Sequence, residues 1–170
     1  MAEFKSGFVT LVGRTNVGKS TLLNLLVGEK VAAIANKVQT TRTAIKGIVN
    51  RTNSQIVFTD TPGIHKPKHK LNETMNETSF ASIPDADIIL FLIEATSEDI
   101  GKGDRLILEK LKEAKRKTIL IINKIDLVKR ESLLHLIDIY RKEYDFEAVI
   151  PISATNVKYR EIILEEIDNN

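Results

Sequence analysis

The sequence predicts an α/β fold: a doubly wound, mostly parallel sheet of six strands with one antiparallel member and helices on both faces. Short β-rich runs alternate with amphipathic stretches, and several runs, such as "IILFLI" and "TILII", are apolar throughout. Strands covered by helices on both faces read this way. Only "NRTN" separates the second and third runs, a hairpin length, so that pair should be antiparallel.

The expected strands are Phe8–Val12, Ala44–Val49, Gln55–Thr59, Ile88–Ile93, Thr118–Ile122 and Ala148–Ile152. A helix is expected over Lys19–Val27 and another over roughly Leu71–Ser82. Ile107, Leu111 and Ala114 share one helical face, as do Leu133, Leu136, Ile137, Tyr140 and Tyr144. A last helix begins near Tyr159. No repeat or low-complexity linker interrupts the 170 residues, so 1–170 reads as a single domain, long enough to bury a core. In such a sheet, ligands sit beyond the carboxyl ends of the strands.

Composition narrows the chemistry. Apolar content of 42% and charged content of 28% are ordinary for a globular chain. The absence of cysteine excludes disulfides and thiolate metal sites and fits a reducing cytoplasm. No signal-peptide pattern opens the chain and no apolar run nears the ~20 residues of a membrane span, which points to a soluble, cytoplasmic domain. A net charge of +2 gives no bulk attraction for nucleic acid, and DNA is not an expected partner. Charge is local instead: Lys66, Lys68 and Lys70 cluster with His65 and His69. Pro67 between the two histidines, with no third ligand nearby, argues against zinc.

After the first strand comes "GRTNVGKST", the residues Gly13, Arg14, Thr15, Asn16, Val17, Gly18, Lys19, Ser20 and Thr21. Gly13, Gly18, Lys19 and Ser20 fill the pattern G-x-x-x-x-G-K-[ST]. The glycines let backbone N–H groups turn inward around phosphate oxygens, and the helix that follows adds a positive dipole end. Lys19 supplies a point charge for the outer phosphates and Ser20 a hydroxyl for Mg²⁺.

The fifth strand ends in "NKID". Guanine presents two adjacent N–H donors that one carboxylate, Asp126, can accept, whereas adenine would leave that carboxylate unpaired. Asn123 can tie the loop and reach the O6/N7 edge, and the Lys124 stem can cover the ring face. In "PISAT" after the sixth strand, Ser153 can brace the loop and the Ala154 N–H can donate to O6.

At the end of the third strand, "DTPG" places Asp60 where it can reach, through water, a Mg²⁺ held by Ser20. Gly63 offers an N–H to a γ-phosphate and a hinge. In the upstream "QTTRT", Thr41 is assigned the second Mg²⁺ hydroxyl, with Thr40 as the register alternative.

The series GRTNVGKS, TTR, DTPG, NKID and SAT resembles the translation-factor-type P-loop GTPases, and DTPGIHKPKHKL resembles their Era-type group. The resemblance spans about Gly7 to Ile167. It implies a Ras-like three-layer fold, GTP or GDP with Mg²⁺, and slow switching during small ribosomal subunit assembly. It also implies that rRNA is bound mainly by a following KH-type domain, which this chain does not contain, and at most peripheral membrane association at the inner face of the cell membrane. Lys19, Thr41, Gly63 and Asn16 then form the catalytic set. Ras-like relatives orient water with a glutamine directly after the Gly, where this chain has Ile64; His65 is one residue out of register. In several relatives the residue matching Asn16 ligates K⁺. Thr15 stands where the group usually has Pro, and the glycine that commonly follows Ser-Ala is missing near Lys158 and Tyr159. A sister GTPase of tRNA modification or large-subunit assembly would share the nucleotide motifs. Thr15 and Ile64 also suit a guanine-nucleotide-binding module that does not hydrolyse.

Overall fold

The computed structural model describes residues 4–14, 17–28, 44–60 and 86–170. Six strands form one sheet in the order β2-β3-β1-β4-β5-β6. They are β1 (Lys5–Gly13), β2 (Ala44–Asn50), β3 (Ser54–Asp60), β4 (Ile88–Glu94), β5 (Lys117–Asn123) and β6 (Ala148–Pro151). All neighbours are parallel except β2 and β3, which pair antiparallel as the short connection requires. Among the described residues four α-helices accompany them: α1 (Lys19–Val27), α2 (Lys102–Ala114), α3 (Arg130–Glu143) and α4 (Lys158–Asp168). A single 3₁₀ turn, Ile125–Leu127, follows β5. The helix expected over Leu71–Ser82 lies outside the described residues.

Each expected strand is present, extended at one or both ends, except that β6 stops at Pro151. The reason for their apolar runs is visible in β4. Side chains alternate faces along a strand, so Ile88, Leu90 and Leu92 enter one core while Ile89, Phe91 and Ile93 enter the other. The first core is closed by Leu22, Leu23 and Leu26 of α1 and Ile163, Leu164 and Ile167 of α4. The second is closed by Ile107, Leu108 and Leu111 of α2 with Leu136 and Tyr140 of α3. The result is three layers.

β1 lies between β3 and β4, so the chain order reverses across it. A crevice opens at such a point beyond the strand's carboxyl end, where Gly13 leads into the loop before α1. Asp60 ends β3 opposite Leu11, and Asn123 ends β5 opposite Glu94. The fold therefore delivers four separate segments to one edge.

The opposite edge is strapped by charge. Arg51, in the β2–β3 turn, donates Nε to Asp168 Oδ2 at 2.6 Å, Nη2 to Glu161 Oε1 at 2.7 Å and Nη1 to Glu161 Oε2 at 3.2 Å. Ser54 Oγ adds a 2.6 Å bond to Asp168 Oδ1. The hairpin turn is thereby fixed to α4. The Arg51 hydrogen bond holds the Glu161 carboxyl below its ordinary range. A carboxyl with a lowered folded value contributes stability above its unfolded pKa of about 4.3 and loses it as pH falls through the folded value. Arg51→Ala should lower Tm by on the order of 5 °C at neutral pH. Melting curves should show that gap narrowing below about pH 4; a gap independent of pH would remove Glu161 from the account.

Candidate functional site: a phosphate loop joined to a base-side pocket

The phosphate side is built on glycine. Gly18 caps α1 in the left-handed region at φ 105°, and a Cβ there would collide with Asn123 Nδ2. A Cβ on Gly13 would stand 2.8 Å from the Leu92 carbonyl oxygen and 3.0 Å from Val17 Cγ2. Backbone must pass where side chains cannot. Among the described residues no side chain caps α1, and its first turn carries no acidic residue. Its leading N–H groups and dipole end suit an anion from outside the helix. Lys19 opens the helix with its Nζ buried, followed by the exposed Ser20 and Thr21.

Asn123 joins this loop to the far side of the site. Its side chain is 4% exposed; Nδ2 donates to the Val17 carbonyl at 2.9 Å, and Oδ1 accepts from the Ala154 N–H at 2.9 Å. The sequence offers Asn123 both to tie the loop and to reach the O6/N7 edge, and the Ala154 N–H to O6. Here these groups bond to each other, because a buried amide needs partners within the protein. Ile125 N–H to Ile152 O at 3.2 Å ties the two base-side loops a second time.

Between those loops lies a concavity of about 680 Å³, lined by Asp126, Ser153, Thr155, Lys158 and Tyr159 among others. Asp126 is exposed on the 3₁₀ turn, so its carboxylate is available to a ligand. Ser153 Oγ and Thr155 Oγ1 stand 3.2 Å apart, and Lys158 Nζ lies 5.1 Å from the Tyr159 ring centroid. Lys124 adopts φ 66° and reaches Glu94 Oε1 at 3.2 Å, while Thr96 Oγ1 holds Glu94 Oε2 at 3.1 Å.

The structure thus brings Gly13, Val17, Gly18, Lys19, Ser20, Asn123, Lys124, Asp126, Ser153 and Ala154 to one edge. Asp60 is placed there by its backbone, at the end of β3. Thr15, Asn16, Thr41 and Gly63, with Thr40, Ile64 and His65, lie outside the described residues. Arg14 is at the same edge, and its side chain turns to α2, where Nε donates to Asp104 Oδ2 at 3.1 Å.

Two participants escaped the sequence reading. Glu94 had a signal, being a charged residue that ends an otherwise apolar strand. Asp104 had a clearer one: with Ile107, Leu108 and Leu111 it occupies i, i+3, i+4 and i+7, a carboxylate on the buried stripe of α2.

A loop shaped by glycines at the start of a helix, in the sequence pattern G-x-x-x-x-G-K-[ST] after a parallel strand, marks a P-loop nucleotide-binding domain. The chain belongs to the family described as 50S ribosome-binding GTPases, which matches residues 8–124. It is 49% identical over 162 residues to GTPase Era from Clostridium perfringens, an alignment covering 95% of this chain and 54% of that protein. The chain therefore spans about half the length of the curated relatives it matches. Among solved structures it resembles Era in complex with MgGDPNP and nucleotides 1506–1542 of 16S ribosomal RNA, with TM-score 0.78 and 40% identity. That match covers 97% of this chain and 56% of the other. A variant of Aquifex aeolicus Era bound to GDP·AlF4⁻ matches with TM-score 0.77 and 39% identity, over 96% of this chain and 56% of the other.

Gly18→Ala combines a strained φ with the Asn123 collision. It should weaken GDP binding by at least about tenfold, an effect of more than ~1.4 kcal/mol, in a titration with fluorescent GDP. Unchanged affinity would mean that the loop does not use this geometry.

Proposed function

We propose that this chain is the guanine-nucleotide domain of a slow, Mg²⁺-dependent GTPase switch that acts in small ribosomal subunit biogenesis and rRNA processing. The observation that carries the reading is the Asn123 bridge, which holds the phosphate loop and the Asp126 pocket in one frame. A nucleoside and its phosphates need both ends at once.

The reaction is attack of water on the γ-phosphorus, breaking its bond to the β–γ bridging oxygen to leave GDP and phosphate. Most of the protein's work in such a transfer is positioning and charge stabilisation. N–H groups of the loop and Lys19 would donate to the outer oxygens and stabilise the charge that builds there. Asp126 selects the base, and Ser153 and Ala154 support its loop. Ser20 and Asp60, with Thr41, would hold Mg²⁺; their hard oxygen donors suit that ion, and Ser20 is exposed beside the uncapped helix start. When bound, the ion would neutralise charge on the phosphate oxygens. Gly63 would sense the γ-phosphate. Because Ile64 offers no group to orient water, Asn16 with K⁺ is assigned the supporting role.

The 16S rRNA complex of a relative supports the small subunit as the partner, and the family resemblance implies contact mainly through a KH-type domain. The family description, which mentions the 50S ribosome, supports the large subunit as the second reading. Pelleting a form extended to its relatives' length with 30S and 50S subunits distinguishes them. The cysteine-free composition supports a cytoplasmic setting, with membrane contact peripheral at most. Among the described residues no helix is long and apolar enough to cross a membrane.

Asp126→Asn should weaken GDP by at least about 100-fold while improving XDP, because the amide presents a donor where guanine also donates. Intact GDP affinity would remove Asp126 from base selection. Single-turnover hydrolysis should be faster in KCl than in NaCl, and Asn16→Ala should abolish the difference. Equal rates in both salts for the parent would eliminate K⁺, and no turnover at all would leave a binding module.

A further inference from the structure

The loop between β1 and α1 is held at two points by side chains from elsewhere. At one end, Asn123 holds the Val17 carbonyl. At the other, the Arg14 guanidinium bonds to Asp104. The Val17 N–H also reaches the Arg14 carbonyl, at 3.5 Å. The first anchor belongs to the base-reading motif; the second lies outside every nucleotide motif of the chain.

That second anchor is built into the core. Asp104 is 1% exposed, and its Oδ2 accepts from Arg14 Nε at 3.1 Å and from Tyr140 Oη at 3.1 Å. Oδ1 has no hydrogen-bond partner among the described residues, so one oxygen carries both bonds. Tyr140 comes from α3, is fully buried, and meets Phe91 of β4 edge-on with centroids 6.1 Å apart. Gly103 clears the route for the arginine: a Cβ there would stand 2.9 Å from Arg14 Cδ and 3.0 Å from Cγ. Burial pushes the Asp104 carboxyl above its ordinary range, and the Arg14 charge and the two hydrogen bonds oppose that rise. Without Arg14 the carboxylate would lack its cationic partner, a costly state for a buried charge.

We propose that Asp104 and Tyr140 are positioning residues that set the phosphate loop through Arg14, so that affinity for the nucleotide's outer phosphates is governed from the α2–α3 interface. The inference rests on the nucleotide reading above. A merely structural carboxylate would affect stability or all ligands alike. A loop-setting one discriminates by phosphate number, because GMP lacks the β-phosphate that the loop surrounds.

The test compares GDP and GMP by competition against fluorescent GDP, with thermal melts on the same samples, for the parent, Asp104→Asn and Tyr140→Phe. Asp104→Asn should weaken GDP by about tenfold or more and GMP by less than about twofold. Tyr140→Phe should weaken GDP by about threefold, also sparing GMP. If Asp104→Asn fails to fold, the GDP-to-GMP ratio of Tyr140→Phe decides. Folded variants with the parent's GDP affinity, or with GDP and GMP weakened equally, would overturn the clamp while leaving the nucleotide reading intact. A parent that bound no guanine nucleotide would overturn both.

Discussion

One buried amide organises the site. Asn123 ends β5, and from there its two polar atoms engage the carbonyl of Val17 and the N–H of Ala154. Those partners belong to loops far apart in sequence, one after β1 and one after β6. Burial makes the arrangement obligatory, since an amide 4% exposed must find its bonds inside the protein. It also dictates Gly18, because any Cβ there would collide with the amide nitrogen. The spacing of the phosphate and base subsites is thus a property of one side chain and the glycine beneath it.

The sheet is what puts Asn123 within reach. β5 lies two strands from β1, separated by β4, and parallel register brings Gly13, Leu92 and Ile121 to neighbouring positions near their carboxyl ends. Two apolar cores fix that register from opposite faces. A slip of one residue in β4 would exchange Ile88, Leu90 and Leu92 with the set facing α2 and α3. At the other edge the Arg51 strap fastens the antiparallel hairpin to α4, so the strand bearing Asp60 is anchored at its start as well as along its length.

Much of this was legible in the sequence, for physical reasons. Doubly covered strands must be apolar, and "IILFLI" and "TILII" announced themselves as such. Gly13, Gly18, Lys19 and Ser20 could be placed because a backbone that wraps an anion tolerates few alternatives. What escaped were long-range partnerships. Nothing local to Asn123 says that its amide engages Val17 and Ala154 rather than a base edge. Nothing local to Arg14 says that its guanidinium lies on α2. Asp104 also escaped, although a carboxylate on an apolar helical stripe calls for a cationic partner; the pattern does not say which one. The 3₁₀ turn bearing Asp126 went unseen because it is a single turn with no periodicity to detect.

Asn123 is buried and indispensable to the frame, whereas Asp126 sits exposed on one short turn. On the proposed nucleotide reading, a change at Asn123 would disturb folding and binding together. A change at Asp126 would act on base choice with little consequence for the scaffold. The choice of nucleobase would then be a surface trait of this domain, and the grip on phosphates a trait of the core.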